Sequence, residues 1–163
     1  MAQMLSGKQI LSRNDERYTP KAVVDYFGPF NYDPCTTVKK ADEFGIPNFD
    51  TIDTNGLDRD WTKFNRIWVN PPFSKKADFL RKAVETFNET GADIYFLCPI
   101  EYLTTKQFSS ICRTSLIYIP TGRISFENGM PGGKQGKSPA FGSVIVRLYP
   151  CNEYRFIPIE ELR

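Results

Sequence analysis

Short apolar runs alternate along the chain with stretches in which apolar residues recur at helical spacing. Three runs have the length and composition of buried strands, at residues 66–69, 93–99 and 116–119. Residues 75–88 predict an amphipathic helix ended by Gly91, and a second helix is predicted from about Thr105 to Cys112. The order strand, helix, strand, helix, strand is typical of an α/β protein with a parallel sheet and right-handed crossovers.

Shorter elements are predicted ahead of this pattern. Thr19-Pro20 begins a helix, with proline in its first turn, that ends at Gly28-Pro29. Residues 30–33 then predict a short strand that runs into a turn. Residues 36–60 are acidic and rich in turn formers, and we expect them to form loops.

Two further strand-like runs and an N-terminal arm complete the predicted organisation of the chain. Strand-like runs at residues 123–126 and 143–149 flank a long, flexible and slightly basic loop over residues 127–138. Residues 1–17 are polar and weakly patterned, which predicts a partly mobile arm. We expect residues 18–163 to form a single domain, since no repeat or linker divides them.

Composition narrows the class of protein. A chain of 163 residues with 40% hydrophobic content suits one compact domain. The net charge is only +2, so a nucleic-acid partner would be held by a local basic patch rather than by the whole surface. No signal-peptide pattern or long apolar span occurs, and we expect a cytoplasmic protein with no membrane partner.

The titratable residues exclude some chemistry. The chain has no histidine, so histidine acid–base catalysis is excluded. Its cysteines lie far apart without the spacing of metal ligands, at Cys35, Cys98, Cys112 and Cys151. Most zinc chemistry is therefore excluded, no metal site is predicted, and the thiols are expected to be reduced.

The segment Asn70-Pro71-Pro72-Phe73 follows the first buried run, which stops at its two prolines. Proline restricts its own φ and that of the residue before it, so this segment is a rigid loop. It presents a side-chain amide, backbone carbonyls and an aromatic face, which suit the edge and face of a planar amine-bearing ring such as adenine. Asn-Pro and Pro-Pro are also ordinary turn sequences, but ligands bind at the carboxyl ends of strands in open α/β sheets.

Four short motifs follow one another along the chain. They are Tyr18-Thr19-Pro20, Asp33-Pro34-Cys35, Asn55-Gly56-Leu57 with Trp61, and Asn70-Pro71-Pro72-Phe73-Ser74. This succession resembles the phage-type DNA N6-adenine methyltransferases, the phage Dam family. The resemblance implies a compact α/β fold with a doubly wound, mostly parallel sheet. It also implies methyl transfer from S-adenosyl-L-methionine to the N6 amine of adenine in double-stranded DNA, in the host cytoplasm if the protein is phage-encoded.

The resemblance implies roles for the proline-rich segment. The Asn70 side chain and the Pro71 carbonyl would accept hydrogen bonds from the target amine, and Pro72 completes the platform. Phe73 stands where the family usually has tyrosine and would stack on the base, since stacking needs a π face and not a hydroxyl. The Asn-Pro-Pro-Phe form is also similar to that of some RNA adenine methyltransferases, so RNA is an alternative substrate.

On the cofactor side, Asp33-Pro34 resembles the acidic form of the first-strand motif, whose carboxylate approaches the methionine amino group, although no Gly-x-Gly follows. Asp33 is also a possible turn former before proline. The segment Tyr18-Thr19-Pro20 resembles the amino-terminal cofactor-contacting segment, with helix capping by Thr19 as the alternative. The remaining cofactor candidates are Asp50 and Asp53 for the ribose hydroxyls and Asn55 for the adenine amine.

Other interpretations remain open at this point. The missing Gly-x-Gly would suit a non-catalytic nucleic-acid-binding derivative of the fold, and a small-molecule or protein methyltransferase would need no Asn-Pro-Pro-aromatic platform. A basic helix face could contact nucleic acid or only solvent; its members are Lys75, Lys76, Arg81 and Lys82. Lys134 and Lys137, in the loop predicted over residues 127–138, could likewise contact phosphates or only solvent. Trp61 and Trp68 are predicted to be core residues.

Overall fold

The computed structural model describes residues 18–126 and 142–163. The arm predicted over residues 1–17 and the loop predicted over 127–138 lie outside the described residues. The helices are α1 (Lys21–Phe27), α2 (Val38–Phe44), α3 (Lys76–Thr90) and α4 (Lys106–Ile111). The strands are β1 (Arg66–Val69), β2 (Asp93–Pro99), β3 (Ser115–Pro120), β4 (Ser143–Leu148) and β5 (Glu153–Ile157).

The five strands form one mixed sheet in the order β1-β2-β4-β3-β5. β1 pairs with β2 and β3 pairs with β5 in parallel, whereas β4 runs antiparallel between β2 and β3. The prediction of an α/β fold is confirmed, but the prediction of a mostly parallel sheet is corrected. An apolar run shows that a strand is covered on both faces and not which way it points.

The two faces of the sheet bury two separate hydrophobic clusters. Ile67 and Val69 of β1 point to the face covered by α3 and α4, and Trp68 between them points to the face covered by α1. Because side chains alternate along a strand, β1 to β4 contribute to both clusters, whereas β5 contributes only Ile157, to the cluster on the α1 face. Helices therefore lie on both faces. Trp61 and Trp68 are 1% and 0% exposed, which confirms them as core residues.

The long helix α3 forms where its apolar spacing predicts. Phe79, Leu80 and Ala83 recur on one face, and all three are buried against the sheet. Gly91 ends the helix at φ 72°, and its N–H donates to Phe87 O at 2.8 Å. Only glycine adopts this left-handed conformation without a steric penalty, which is why the helix stops there.

The stretch predicted as loops over residues 36–60 contains α2, and this prediction is corrected. Thr37 caps the helix by accepting a hydrogen bond from Lys40 N at 3.1 Å, and Gly45 ends it at φ 68°. The buried side chains of α2 are Lys40 and Ala41, so the helix has no apolar face to produce a periodic signal. Seven residues are also too few for such a signal to stand out.

Two strand predictions also differ from the structure, and one strand was not predicted. Residues 30–33 form isolated parallel bridges, Tyr32 to Ile67 and Asp33 to Phe49, instead of a regular strand. Residues 123–126 are not a strand, although Ile124 is buried. Strand β5 was not predicted, because its residues 153–156 are exposed and therefore not an apolar run.

Gly56 packs against the backbone of Pro34. A Cβ at residue 56 would lie 2.0 Å from Pro34 O and 2.8 Å from its carbonyl carbon. The turn is held on the other side by Trp61, whose Nε1 donates to Gly56 O at 2.8 Å, and by Asn55, whose side chain accepts from Leu57 N at 3.3 Å. The close approach of two backbones explains why this position is glycine.

We expect Gly56→Ala to destabilise the fold by about 1–3 kcal/mol, because the added methyl group must displace the Pro34 backbone. Gly142→Ala is the control, since among the described residues the nearest atom to a Cβ there is Ile100 Cγ2, at 3.8 Å. Thermal and urea unfolding of both variants measure the difference. Equal stabilities of the two variants would contradict the packing of Gly56 on Pro34.

Candidate functional site

A small open cleft lies beside the bridge at Asp33 and the carboxyl end of strand β1. Its volume is about 230 Å³, including the solvent at its mouth. Its lining residues are Tyr18, Thr19, Asp33, Cys35, Thr36, Lys40, Phe44, Trp68 and Asn70. Five of them come from three of the motifs singled out in the sequence: Tyr18, Thr19, Asp33, Cys35 and Asn70. The fold thus brings part of the predicted cofactor set and Asn70 to one cleft.

The Asn70 side chain is oriented by Thr19. Asn70 Nδ2 donates to Thr19 Oγ1 at 3.0 Å, and Thr19 is 2% exposed. The N-cap of α1 is Pro20, with no side-chain capping bond, so helix capping by Thr19 is wrong. With the amide nitrogen directed at Thr19, Oδ1 is the end of the amide that can accept a hydrogen bond from an amine.

The backbone of Asn70 is joined to the second motif through Cys35. Cys35 Sγ donates to Asn70 O at 3.2 Å. Burial raises the pKa of the Cys35 thiol well above its ordinary value, and the nearby Asp33 carboxyl adds to the shift. The thiol therefore stays protonated and acts as a hydrogen-bond donor rather than as a nucleophile.

Asp33 forms a local turn and also lines the cleft. Its Oδ1 accepts from Cys35 N at 3.0 Å, which is the turn that an aspartate before proline can form. Its side chain also lines the cleft at 2% exposure. Burial raises the pKa of Asp33 to about 7, although the Cys35 N–H opposes the shift. A cation that enters the cleft would favour the ionised carboxylate.

The proline-rich platform is held by backbone contacts beyond Asn70. Pro71 is buried, and Pro72 and Phe73 are half-buried. Lys75 N donates to Pro72 O at 3.0 Å, and Lys76 Nζ donates to Phe73 O at 3.2 Å. Phe73 belongs to neither hydrophobic cluster of the described residues. Its side chain is half-buried, so part of it stays accessible.

The predicted basic face divides into two kinds of residue. Lys82 Nζ donates to Leu57 O at 2.6 Å, so it supports the Gly56 turn, and Lys76 supports the platform. Lys75 is exposed, and Arg81 is exposed and paired with Asp78 at 3.2 Å. Two of the four basic residues thus stabilise loops beside the cleft.

The other cofactor candidates do not line the cleft. The Asp50 carboxylate accepts from Tyr32 OH at 2.7 Å and from Arg59 Nε and Nη2 at 2.7 and 3.1 Å. Burial alone would raise the pKa of Asp50, but the hydrogen bonds from Arg59 and Tyr32 outweigh it and lower the pKa. Asp53 is exposed, and Asn55 caps the turn over Gly56–Asp58. Their ribose and adenine contacts stay predictions.

The structure adds lining residues that the sequence analysis did not propose, of which Lys40 is the most unusual. It is 6% exposed, and it reaches the cleft from α2, a helix that was not predicted. The local signals for this helix were Thr37 at its N-cap, three residues before Lys40, and Gly45 at its end. Trp68 was predicted as a core residue and also lines the cleft.

Residues 18–126 and 142–163 provide neither a metal cluster nor a membrane-spanning helix. In those ranges no cluster of three or more histidine, cysteine, aspartate or glutamate side chains could hold a metal ion. No helix in the same part of the chain has the length and apolar character needed to cross a membrane. The described cysteines are all free thiols.

The family model for DNA N-6-adenine-methyltransferase (Dam) matches residues 8–159. The chain belongs to this family. The DNA N-6-adenine-methyltransferase of Escherichia phage T1 is 32% identical over 90 residues, which are 53% of this chain and 36% of that relative. The aligned part thus spans about a third of the relative's length. Family membership confirms the resemblance stated from the four motifs.

The buried Asp50 carboxylate predicts a pH-dependent effect of Arg59→Met. At neutral pH the variant should lose about 1–3 kcal/mol, because a buried carboxylate loses its charged partner. The native pKa of Asp50 is lowered, so its contribution is present above the unfolded pKa of about 3.9 and is lost as the pH falls through the native value. The difference from wild type should therefore shrink below about pH 4.

Urea unfolding of wild type and Arg59→Met at neutral and acidic pH measures this effect. Arg81→Met is the matched control, since Arg81 pairs with an exposed carboxylate and such pairs contribute about 0–1 kcal/mol. An equal loss of stability for Arg59→Met at both pH values would contradict the role of the ion pair.

Proposed function

We propose that this protein transfers a methyl group from S-adenosyl-L-methionine to the exocyclic N6 amine of adenine in double-stranded DNA. The observation that carries the proposal is the placement of Asn70, hydrogen-bonded to Thr19, in the same cleft as the buried Asp33. Membership of the Dam family supports the reaction class. The phage T1 relative is a DNA N-6-adenine-methyltransferase, which supports DNA as the substrate.

The architecture supports the same proposal. Helices cover both faces of the mixed sheet, as in a doubly wound fold, and the cleft lies at the carboxyl ends of β1 and of the bridge at residue 33. Ligands bind at such ends in open α/β sheets. We propose residues 18–163 as the methyltransferase domain and the bacterial cytoplasm as its place of action.

The side chains in the cleft fit the amino-acid end of S-adenosyl-L-methionine. The buried Asp33 carboxyl would hold the ammonium group, and the segment Tyr18-Thr19-Pro20 would contact the cofactor beside it. When bound, the cofactor supplies an electrophilic methyl group on a sulfonium. Asp50, Asp53 and Asn55 are proposed for the adenosine end.

The platform would act on the target amine. The exocyclic amine of adenine is a poor nucleophile because its lone pair is delocalised into the ring. Asn70 Oδ1 and the Pro71 carbonyl would accept its two hydrogens and favour the tetrahedral geometry that frees the lone pair. No strong base is needed, which fits a chain with no histidine. Correct orientation of the reactants can supply about 7–11 kcal/mol.

A base in a duplex must be flipped out of the stack to reach this cleft. Phe73, half-buried and outside both hydrophobic clusters, would stack on the flipped base. Lys75 and Arg81 are exposed in the segment that follows the platform, where they could contact phosphates. RNA is the alternative substrate, and a non-catalytic nucleic-acid-binding protein is the alternative function.

Incubation with methyl-labelled S-adenosyl-L-methionine and either duplex DNA or RNA tests the proposal. We expect label in N6-methyladenine of DNA, and Asn70→Ala should reduce the transfer at least about 10²-fold, because it removes an acceptor for the amine. Cofactor affinity should stay close to that of wild type. Asn88→Ala, an exposed change near the end of α3, is the control.

Each other outcome of this experiment has a defined meaning. Label in RNA alone would identify RNA, and not DNA, as the substrate. Binding of cofactor or DNA without methyl transfer would favour the non-catalytic derivative. Near-normal transfer by folded Asn70→Ala would contradict the role of Asn70.

The raised pKa of Asp33 predicts the pH dependence of cofactor binding. Below about pH 7 the carboxyl is protonated, so affinity should weaken about tenfold per pH unit. Affinity should also weaken above about pH 8, where an α-ammonium group loses its proton. Calorimetric titration at pH values on both sides of this range measures the profile.

Asp33→Asn should bind more weakly and lose the acidic limb of this profile, whereas Asp42→Asn, an exposed change on α2, should keep it. An unchanged acidic limb in Asp33→Asn would contradict the assignment of Asp33 to the ammonium group.

A further inference from the structure

We infer that Lys40 binds the carboxylate of the methionine end of S-adenosyl-L-methionine, opposite in charge to the ammonium group assigned to Asp33. This inference rests on the proposed function and deepens it. Lys40 lines the cleft together with Asp33 and Thr36, and it is 6% exposed. Lysine is almost never buried to this extent unless its charge is compensated.

The Lys40 ammonium is positioned by its surroundings. Lys40 Nζ lies 2.8 Å from Glu43 Oε2, 5.9 Å from the centre of the Tyr18 ring and 5.5 Å from that of Phe44. Tyr18 and Phe44 line the cleft as well. Glu43 has a side chain 34% exposed, so the ion pair is partly solvated. A ligand carboxylate would share the ammonium with Glu43, since the group has three N–H donors.

The charges of the cleft select one class of ligand. Asp33 provides a buried carboxyl group and Lys40 a buried ammonium group, and both residues line the same small cleft. A phosphate would be attracted to Lys40 but repelled by ionised Asp33, and a simple amine would meet the reverse. An α-amino acid group carries an ammonium and a carboxylate on one carbon, so it matches both residues. Thr19 and Thr36 line the same cleft.

A ligand comparison tests the inference without using catalysis. Calorimetry would measure the binding of S-adenosyl-L-methionine and of its decarboxylated analogue, which keeps the ammonium group and lacks the carboxylate. Wild-type protein should bind the analogue about 10–100-fold more weakly, as expected for the loss of a charge-assisted hydrogen bond. In Lys40→Met the two ligands should bind within about threefold of each other, because the partner of the carboxylate is gone.

Two further variants separate binding from folding. Lys39→Met, an exposed change one residue earlier on α2, should keep the wild-type preference for the carboxylate. Lys40→Arg should restore much of that preference, since it keeps a cation at the position. Melting temperatures of all variants would be recorded without ligand.

The outcomes distinguish this inference from the proposed function. Equal binding of the two ligands to wild type would overturn the role of Lys40 even if Lys40→Met failed to fold. A Lys40→Met variant that weakens both ligands by the same factor would also overturn it, because that result reports a structural role of α2. In either case the wild-type protein would still bind the cofactor and methylate DNA, so the proposed function would stand. If wild type bound neither ligand, the proposed function itself would fail.

Discussion

The hydrogen bond from Asn70 to Thr19 joins segments 51 residues apart, and the candidate site depends on it. It directs the amide nitrogen of Asn70 at the Thr19 hydroxyl. Cys35 completes the link by donating to the Asn70 carbonyl, and Asp33 holds Cys35 in its turn. Behind them, Gly56 approaches Pro34 so closely that no side chain fits. A rigid loop after β1 is thus connected to both proposed cofactor segments.

Two buried acids beside the site are compensated in different ways. Asp50 has a bidentate arginine partner and a tyrosine hydroxyl, so its pKa is lowered and the group is satisfied within the protein. The Asp33 carboxyl accepts a hydrogen bond from the Cys35 backbone N–H, and burial raises the pKa of Asp33 to about 7. The charge of Asp50 is therefore compensated within the protein, whereas Asp33 gains most from a cationic ligand.

Local patterns account for the elements that were predicted correctly. The spacing of Phe79, Leu80 and Ala83 indicates α3 and its buried face, and Gly91 indicates its end. Helix α2 escaped prediction because it buries a lysine and an alanine rather than an apolar stripe. Strand β5 escaped because residues 153–156 are exposed. These elements exist because of what packs beside them, which hydrophobic periodicity does not record.

The sequence by itself determined the family, the core strands and the stiff Asn70-Pro71-Pro72-Phe73 loop, because proline geometry and apolar runs act within a few residues. Only the tertiary structure decided the antiparallel direction of β4, since an apolar run carries no direction. It also decided that Thr19 bonds Asn70 instead of capping α1, and that Lys40 lines the cleft. Such contacts join residues far apart in the chain, so no local pattern specifies them.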